Sequence, residues 1–131
     1  FSGIKGLKTV LRDQLENVRE FFVLGAGEEF ASMTEHFYEQ YYVKRIQKKI
    51  TQHVLFKHNA KERAKKASKT SYSNVKILNK DYRVPMAIVI YGNKTALFSW
   101  PEKKAITITS KNVSEGFKEQ FFILWKSSKS I

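Results

Sequence analysis

A short apolar run, Phe21–Leu24, lies between two segments whose apolar residues recur every three or four positions. The first segment covers residues 4–19 and predicts an amphipathic helix, whose apolar face carries Ile4, Leu7, Val10, Leu11, Leu15 and Val18. A continuous apolar run of this length is typical of a strand that is covered on both faces of its sheet. Strands buried between helices place the chain in the α/β class.

The second helical segment begins at Glu28 and Glu29, where acidic side chains suit the positive end of a helix. Its buried stripe consists of Phe30, Met33, Phe37 and Tyr41. Residues 54–56 then predict a second strand. A strand, a helix and a strand of these lengths favour a right-handed crossover between parallel strands.

The rest of the chain is richer in strands. Residues 59–71 predict a short helix or a mobile loop, and further strands are expected at residues 75–78, 86–91, 95–100 and 105–109. Gly92 and Asn93 between two such runs indicate a hairpin. Asn112 and Glu115 resemble a capping box before a closing helix. We therefore expect one domain over residues 1–131, with a central mixed β-sheet flanked by helices.

Charge is concentrated in one part of the sequence. The 131 residues include 24 Lys and Arg against 12 Asp and Glu, which gives a formal net charge of +12. Ten of the basic residues fall between Lys44 and Lys69, where Glu62 is the only acid. Such a field attracts polyanions or acidic partners, although a solvated helix face is the plainer alternative. The predicted surface for an anion or a partner consists of Lys44, Arg45, Lys48, Lys49, Lys61, Arg63, Lys65 and Lys66.

Several classes of site are disfavoured by residues that the sequence lacks. It contains no cysteine, which excludes disulfides and thiolate nucleophiles and fits a reducing, cytoplasmic setting. No apolar run approaches the roughly 20 residues that span a bilayer, so we expect no membrane insertion. Gly25 and Gly27 lack the third glycine of a dinucleotide loop, because Phe30 stands there. We predict no cofactor, and no metal site, since His53 and His58 are spaced to face apart along a strand.

Large aromatic residues are more numerous than one small core readily hides. Tyr38 and Tyr42 form a second stripe beside the one that contains Phe37 and Tyr41. We interpret this stripe as an interface, with burial in the core or stacking on nucleic-acid bases as the alternatives. The sequence thus predicts a homodimer whose contact includes Tyr38, Tyr42 and Phe122.

An ordered set of short stretches resembles a known family. The stretches are residues 3–8, 21–25, 42–46 with Lys48, Lys49 and Ile50, 83–85, 90–96, and Phe121 with Leu124 and Trp125. In that order they resemble the C-terminal effector domain of archaeal TrmB-type transcriptional regulators. The resemblance implies a phospholipase D-like half-domain that dimerises. It also implies an upstream winged-helix domain that binds DNA, and because the sequence begins at Phe1 we expect such a domain before it.

Phospholipase D-type enzymes, whose fold the resemblance implies, carry a His-x-Lys motif. In this motif the histidine is the nucleophile and the lysine binds phosphate. Here the residues two positions after His36, His53 and His58 are Tyr38, Leu55 and Ala60. We therefore expect a non-catalytic regulatory and dimerisation domain, which could take an anionic small-molecule ligand. The alternatives are a stand-alone nucleic-acid-binding module that uses residues 44–69, and a degenerate nuclease-like enzyme.

Overall fold

The computed structural model describes the backbone of residues 3–131, and within that range the side chains of all but residues 3, 4, 30, 31 and 33–36. The helices are α1 (Gly3–Asn17), α2 (Glu29–Gln47), α3 (Lys61–Ser68) and α4 (Lys111–Ser127). The strands are β1 (Glu20–Ala26), β2 (Thr51–Phe56), β3 (Ser73–Ile77), β4 (Met86–Tyr91), β5 (Lys94–Ser99), β6 (Lys104–Thr109) and β7 (Lys129–Ser130). Within the described part of the chain, no helix is both long and apolar enough to cross a bilayer.

The seven strands form one mixed sheet in the order β6-β5-β4-β1-β2-β3-β7. Strands β1, β2 and β3 are parallel, and α2 and α3 connect them. Strands β4, β5 and β6 form an antiparallel meander, and β4 runs antiparallel to β1. The predicted α/β class with a mixed sheet is confirmed, and so is the parallel pairing of the first two strands.

Both faces of β1 are buried, which explains its continuous apolar run. Phe21 and Val23 belong to a core cluster that also contains Leu7 and Leu11 of α1 and Tyr41 of α2. The side chains that alternate with them, Phe22 and Leu24, belong to a second cluster with Phe121 of α4. The molecule therefore has three layers, with α1, α2 and α3 on one face of the sheet and α4 on the other.

Some local predictions differ from the structure. Helix α4 is capped by Ser110 rather than Asn112, because the Ser110 hydroxyl accepts a hydrogen bond from the backbone N–H of Val113 at 3.2 Å. Of the two structures expected for residues 59–71, in contrast, the short helix is confirmed, because a 3₁₀ turn over His58–Ala60 is followed by α3. Strand β7 was not predicted, since two residues that pair with β3 leave no periodic signal.

Gly25 produces an irregularity in β1 where the strand lies beside β4. The register to β2 shifts between Leu24 and Ala26, and Gly25 has a φ of +87°. A Cβ atom at this position would lie 3.0 Å from the carbonyl oxygen of Met86. Glycine is therefore needed here for both its left-handed backbone and its close approach to β4.

Candidate anion-binding site

The carboxyl ends of the parallel strands are joined by backbone hydrogen bonds beyond the last strand residues. The N–H of Lys57 donates to the carbonyl oxygen of Ala26 at 2.8 Å, and the N–H of Leu78 donates to that of Phe56 at 2.8 Å. A 3₁₀ turn over His58–Ala60 follows directly. Lys57, His58 and Asn59 are consequently held at the carboxyl edge of the sheet.

The connection between β3 and β4 passes the same edge. It folds into a turn in which Asn79 accepts hydrogen bonds from two backbone N–H groups, that of Tyr82 at 3.0 Å and that of Asp81 at 2.9 Å. The ring of Tyr82 is half-buried and lies beside Gly25. Burial raises the pKa of the Tyr82 phenol, so its hydroxyl remains neutral and available for hydrogen bonding.

These two segments enclose an open pocket of about 340 Å³, which we call the carboxyl-edge pocket; it is lined by Lys57, His58, Asn59, Lys80, Tyr82 and Arg83. None of these lining side chains is a carboxylate. The lining therefore includes two lysines and one arginine, together with a histidine, an asparagine and a tyrosine. Such groups suit phosphate or carboxylate oxygens, since arginine binds them through two N–H groups and lysine as a point charge. In open α/β sheets, the carboxyl ends of the strands are where ligands bind.

Arg45 has a structural role and is not available to a partner. Its side chain is fully buried, and its guanidinium donates to the carbonyl oxygens of Ile50 at 2.9 Å, Tyr72 at 3.0 Å and Ser71 at 3.2 Å. Burial lowers the pKa of this guanidinium. These bonds tie the end of α2 to the segment before β3. The prediction that Arg45 contributes to an anion-binding surface is therefore wrong, because its guanidinium is already used within the fold.

The other predicted basic residues lie at two edges of the sheet. Helices α2 and α3 both end where β2 and β3 begin, and their exposed lysines at this edge are termed the amino-edge lysines: Lys44, Lys49, Lys65, Lys66 and Lys69. Lys48 is also at this edge, and its ammonium donates to the carbonyl oxygen of Leu15 at 3.0 Å.

Lys61 and Arg63 instead lie at the start of α3, and Arg63 pairs with Glu28 at 3.3 Å. The start of α3 follows the carboxyl end of β2, so these two residues are at the opposite edge from the amino-edge lysines. The eight predicted residues therefore do not form one site.

The three predicted interface residues are in different environments. Tyr38 and Tyr42 are partly buried against the first core cluster, with their ring centroids 4.9 Å apart. The Tyr42 hydroxyl also accepts a hydrogen bond from Gln52 at 3.2 Å. Phe122 is 45% exposed, and its ring contacts that of Phe22 edge-on at 5.5 Å. Of the three, Phe122 alone presents a largely open ring.

The histidines that the structure describes are also separated. His53 stacks on Phe22 at 4.6 Å, and its Nε2 lies 2.9 Å from a carboxylate oxygen of Glu20. His58 lines the carboxyl-edge pocket, and the side chain of His36 is outside the described residues. No group of three His, Cys, Asp or Glu side chains in the described part of the chain could hold a metal ion.

Sequence reasoning missed the carboxyl-edge pocket. It placed the site in the densest run of basic residues, whereas Lys80 and Arg83 lie outside that run. A usable signal was present, because the pocket residues directly follow the predicted strands at 54–56 and 75–78, where ligands of such sheets bind. A comparison of the sequence with protein-family models and with curated proteins finds no match.

Proposed function

We propose that this protein is a non-catalytic regulatory and dimerisation domain of the archaeal TrmB type, and that it binds a small anionic effector in the carboxyl-edge pocket. The observation that carries the proposal is the convergence of Lys57, Lys80 and Arg83 on one pocket with no carboxylate in its lining. A phosphate-bearing small molecule fits this chemistry best, since three cations exceed what one carboxylate needs. The phospholipase D-like assignment of the fold, and DNA binding through an upstream domain, belong to the same proposal.

The proposal of a non-catalytic role rests on the residues beside the pocket. His58 is its only imidazole, and the residues that follow are Asn59 and Ala60, so the His-x-Lys pair of the related enzymes is missing. A nucleophile for phosphoryl transfer also needs a neighbouring group that activates it. No ion pair or hydrogen bond of the His58 side chain to a carboxylate is present in the described structure.

A second candidate function is direct binding of nucleic acid through the amino-edge lysines. Arg45 favours it, because this buried side chain holds the ends of α2 and α3 at one edge and so gathers their exposed lysines. Lysines contact phosphates without reading base edges, so such binding would be indifferent to sequence. It would also weaken steeply with salt, because each phosphate contact releases counterions.

One pair of double variants separates the two functions. We expect pyrophosphate to raise the melting temperature of the parent domain in a saturable way. Lys80→Glu with Arg83→Glu should abolish this rise, because the variant reverses two of the charges around the pocket. Lys66→Glu with Lys69→Glu changes the net charge equally on exposed positions of the other edge, and it should keep the response.

The same proteins, titrated with a short DNA duplex at low salt, test the second function. Loss of duplex binding in the Lys66 and Lys69 variant alone supports the nucleic-acid module. The effector proposal is overturned if pyrophosphate, phosphate and a sugar phosphate all leave the melting temperature of the parent domain unchanged. It is also overturned if the Lys80 and Arg83 variant responds like the parent.

A further inference from the structure

Helix α4 presents large apolar side chains to solvent on the side that faces away from the sheet. Its inner side packs in the second core cluster through Phe117, Phe121 and Leu124. The residues on the opposite side recur every three or four positions, so they share one face of the helix. All seven are exposed and together are called the outer α4 face: Asn112, Glu115, Gly116, Glu119, Phe122, Ile123 and Lys126. Phe122 is 45% exposed and Ile123 is 67% exposed, and adjacent exposed apolar side chains of this size are typical of an interaction surface.

Gly116, in the same face, is not required by the fold of a single chain. It lies in the interior of α4, and its φ is outside the left-handed region. A Cβ atom at this position would meet no atom of the described part of the chain within 4 Å. Glycine is unfavourable inside a helix, so its presence calls for another reason. A missing side chain allows a second helix to approach closely, because the distance between packed helices depends on the side chains at the contact.

The charges of the outer α4 face differ from those of the molecule as a whole. Two glutamates and one lysine give this face a net charge of −1, whereas the whole chain carries +12. Glu115 and Glu119 lie in the first half of α4, and Lys126 lies near its end. None of the three forms an ion pair within the described residues. An antiparallel copy of the same face therefore sets acids against a base, and general repulsion between two basic molecules is reduced here.

We propose that two copies of this chain associate through antiparallel packing of their α4 helices, with one outer α4 face against the other. This inference rests on the homodimer proposed above and identifies the surface through which the copies meet. A two-fold axis brings the same surface of both copies into contact, so the surface must be complementary to itself. The order of acids, apolar side chains and base along α4 meets this condition.

One register brings all these features together. With the two-fold axis between the levels of Glu119 and Gln120, Gly116 of one copy lies level with Ile123 of the other. Side chains of a helix lean toward its amino end, so the two Ile123 side chains lean toward the axis from opposite directions and meet there. The same lean brings Lys126 of each copy toward Glu119 of the other. The contact thus has an apolar centre, with an ion pair on each side of it and room above each Gly116.

Sedimentation equilibrium of the whole chain tests the inference. The parent protein should be a dimer at high micromolar concentration. Ile123→Lys should be monomeric, because it places two ammonium groups at the centre of the contact. Val43→Lys makes the same type of change on α2, at a site that is 56% exposed on the opposite face of the sheet, and it should remain dimeric.

Two further changes keep the result interpretable if Ile123→Lys fails to fold. Gly116→Gln introduces a better helix former at an exposed position, so the circular dichroism spectrum should stay that of the parent while the new side chains hold the two helices apart. Lys126→Glu should raise the dissociation constant of the dimer by about tenfold, because both ion pairs become repulsive. The double variant Lys126→Glu with Glu119→Lys should restore most of the affinity, since it exchanges the two charges across the contact.

Each proposal can fail separately. A monomeric parent protein overturns both this inference and the proposed homodimer. A dimeric parent whose folded Ile123→Lys or Gly116→Gln variant is still a dimer overturns this inference alone, and so does a double variant that dimerises no better than Lys126→Glu. Loss of the dimer in Val43→Lys also overturns it, because the contact would then lie on α2. Pyrophosphate binding is measured independently, so the effector proposal is tested on its own.

Discussion

At the residue scale, Arg45 is the side chain whose role differs most from its position in a basic run. It is surrounded by carbonyl oxygens and hydroxyl groups, and its guanidinium also lies 5.1 Å from the ring centroid of Tyr42. A planar group with several N–H donors can satisfy such a set of acceptors, whereas a lysine ammonium is more compact and has fewer donors.

We expect Arg45→Met to lower the free energy of unfolding by about 2–4 kcal/mol, because one buried and several part-buried acceptors lose their donor. Arg45→Lys should recover only a small part of the loss. Urea denaturation measures both effects, and Lys44→Met, at the exposed neighbouring position, is the control. An Arg45→Met protein as stable as this control would show that water replaces the guanidinium without cost.

At the element scale, the start of α4 depends on one hydroxyl group. The Ser110 side chain caps the helix, whereas Asn112 lies exposed within its first turn. Ser110 and Asn112 are both residue types that cap helices, and the sequence alone cannot rank them, since the position of the cap depends on where β6 ends. The backbone N–H of Ser110 donates to the carbonyl oxygen of Asn93, which fixes that end.

We expect Ser110→Ala to destabilise the protein by about 1 kcal/mol, the usual effect of losing a helix cap. Asn112→Ala should change the stability by a few tenths of a kcal/mol at most, because it removes no cap. Thermal unfolding of the two variants beside the parent decides between the two positions. A larger loss of stability in Asn112→Ala than in Ser110→Ala would show that Asn112 is the cap.

The elements with strong periodicity could be predicted from the sequence, whereas the set of residues that forms the site could not. The Phe21–Leu24 run and the stripe of α1 follow from burial, which the pattern of apolar residues reports directly. The environment of Arg45 depends on Tyr72 and Ser71, which come near only after β2 and β3 pair. The carboxyl-edge pocket joins Lys57 to Arg83 through the same pairing, so the sequence marks only their positions after two predicted strands and not that they line one pocket.

At the scale of the whole molecule, buried tyrosines link stability to alkaline pH. The hydroxyl of Tyr41 donates to the buried Gln14 at 2.6 Å, and burial raises the pKa of this phenol. The pKa of Tyr91 is raised by burial and by the nearby carboxylate of Asp13. In the unfolded chain both phenols ionise near pH 10, so the folded state binds more protons above that pH.

The stability that these two phenols contribute is therefore fully present below about pH 10, and it is lost as the pH rises above that value. Each phenol contributes a slope of about 0.7 kcal/mol per pH unit at pH 10, where the unfolded phenol is half ionised, and this slope approaches about 1.4 kcal/mol per pH unit above pH 11. We expect Tyr91→Phe to remove one such contribution, so its stability should decline less steeply than that of the parent between pH 10 and pH 11. Denaturation of both proteins across these pH values tests this, and equal slopes would exclude a buried, neutral Tyr91.

The position of β1 has a consequence for how the chain folds as it is synthesised. Among the described strands β1 leaves the ribosome first, yet it lies in the middle of the sheet between β2 and β4. Phe22 pairs with Ile90 of β4, which is synthesised much later. One edge of the most apolar strand therefore has no pairing strand while most of the domain is translated. Pairing between such distant residues also makes folding slow, because a long loop must close first. A nascent chain that stops before the hairpin thus exposes an unpaired hydrophobic strand that chaperones recognise and that other nascent chains can capture.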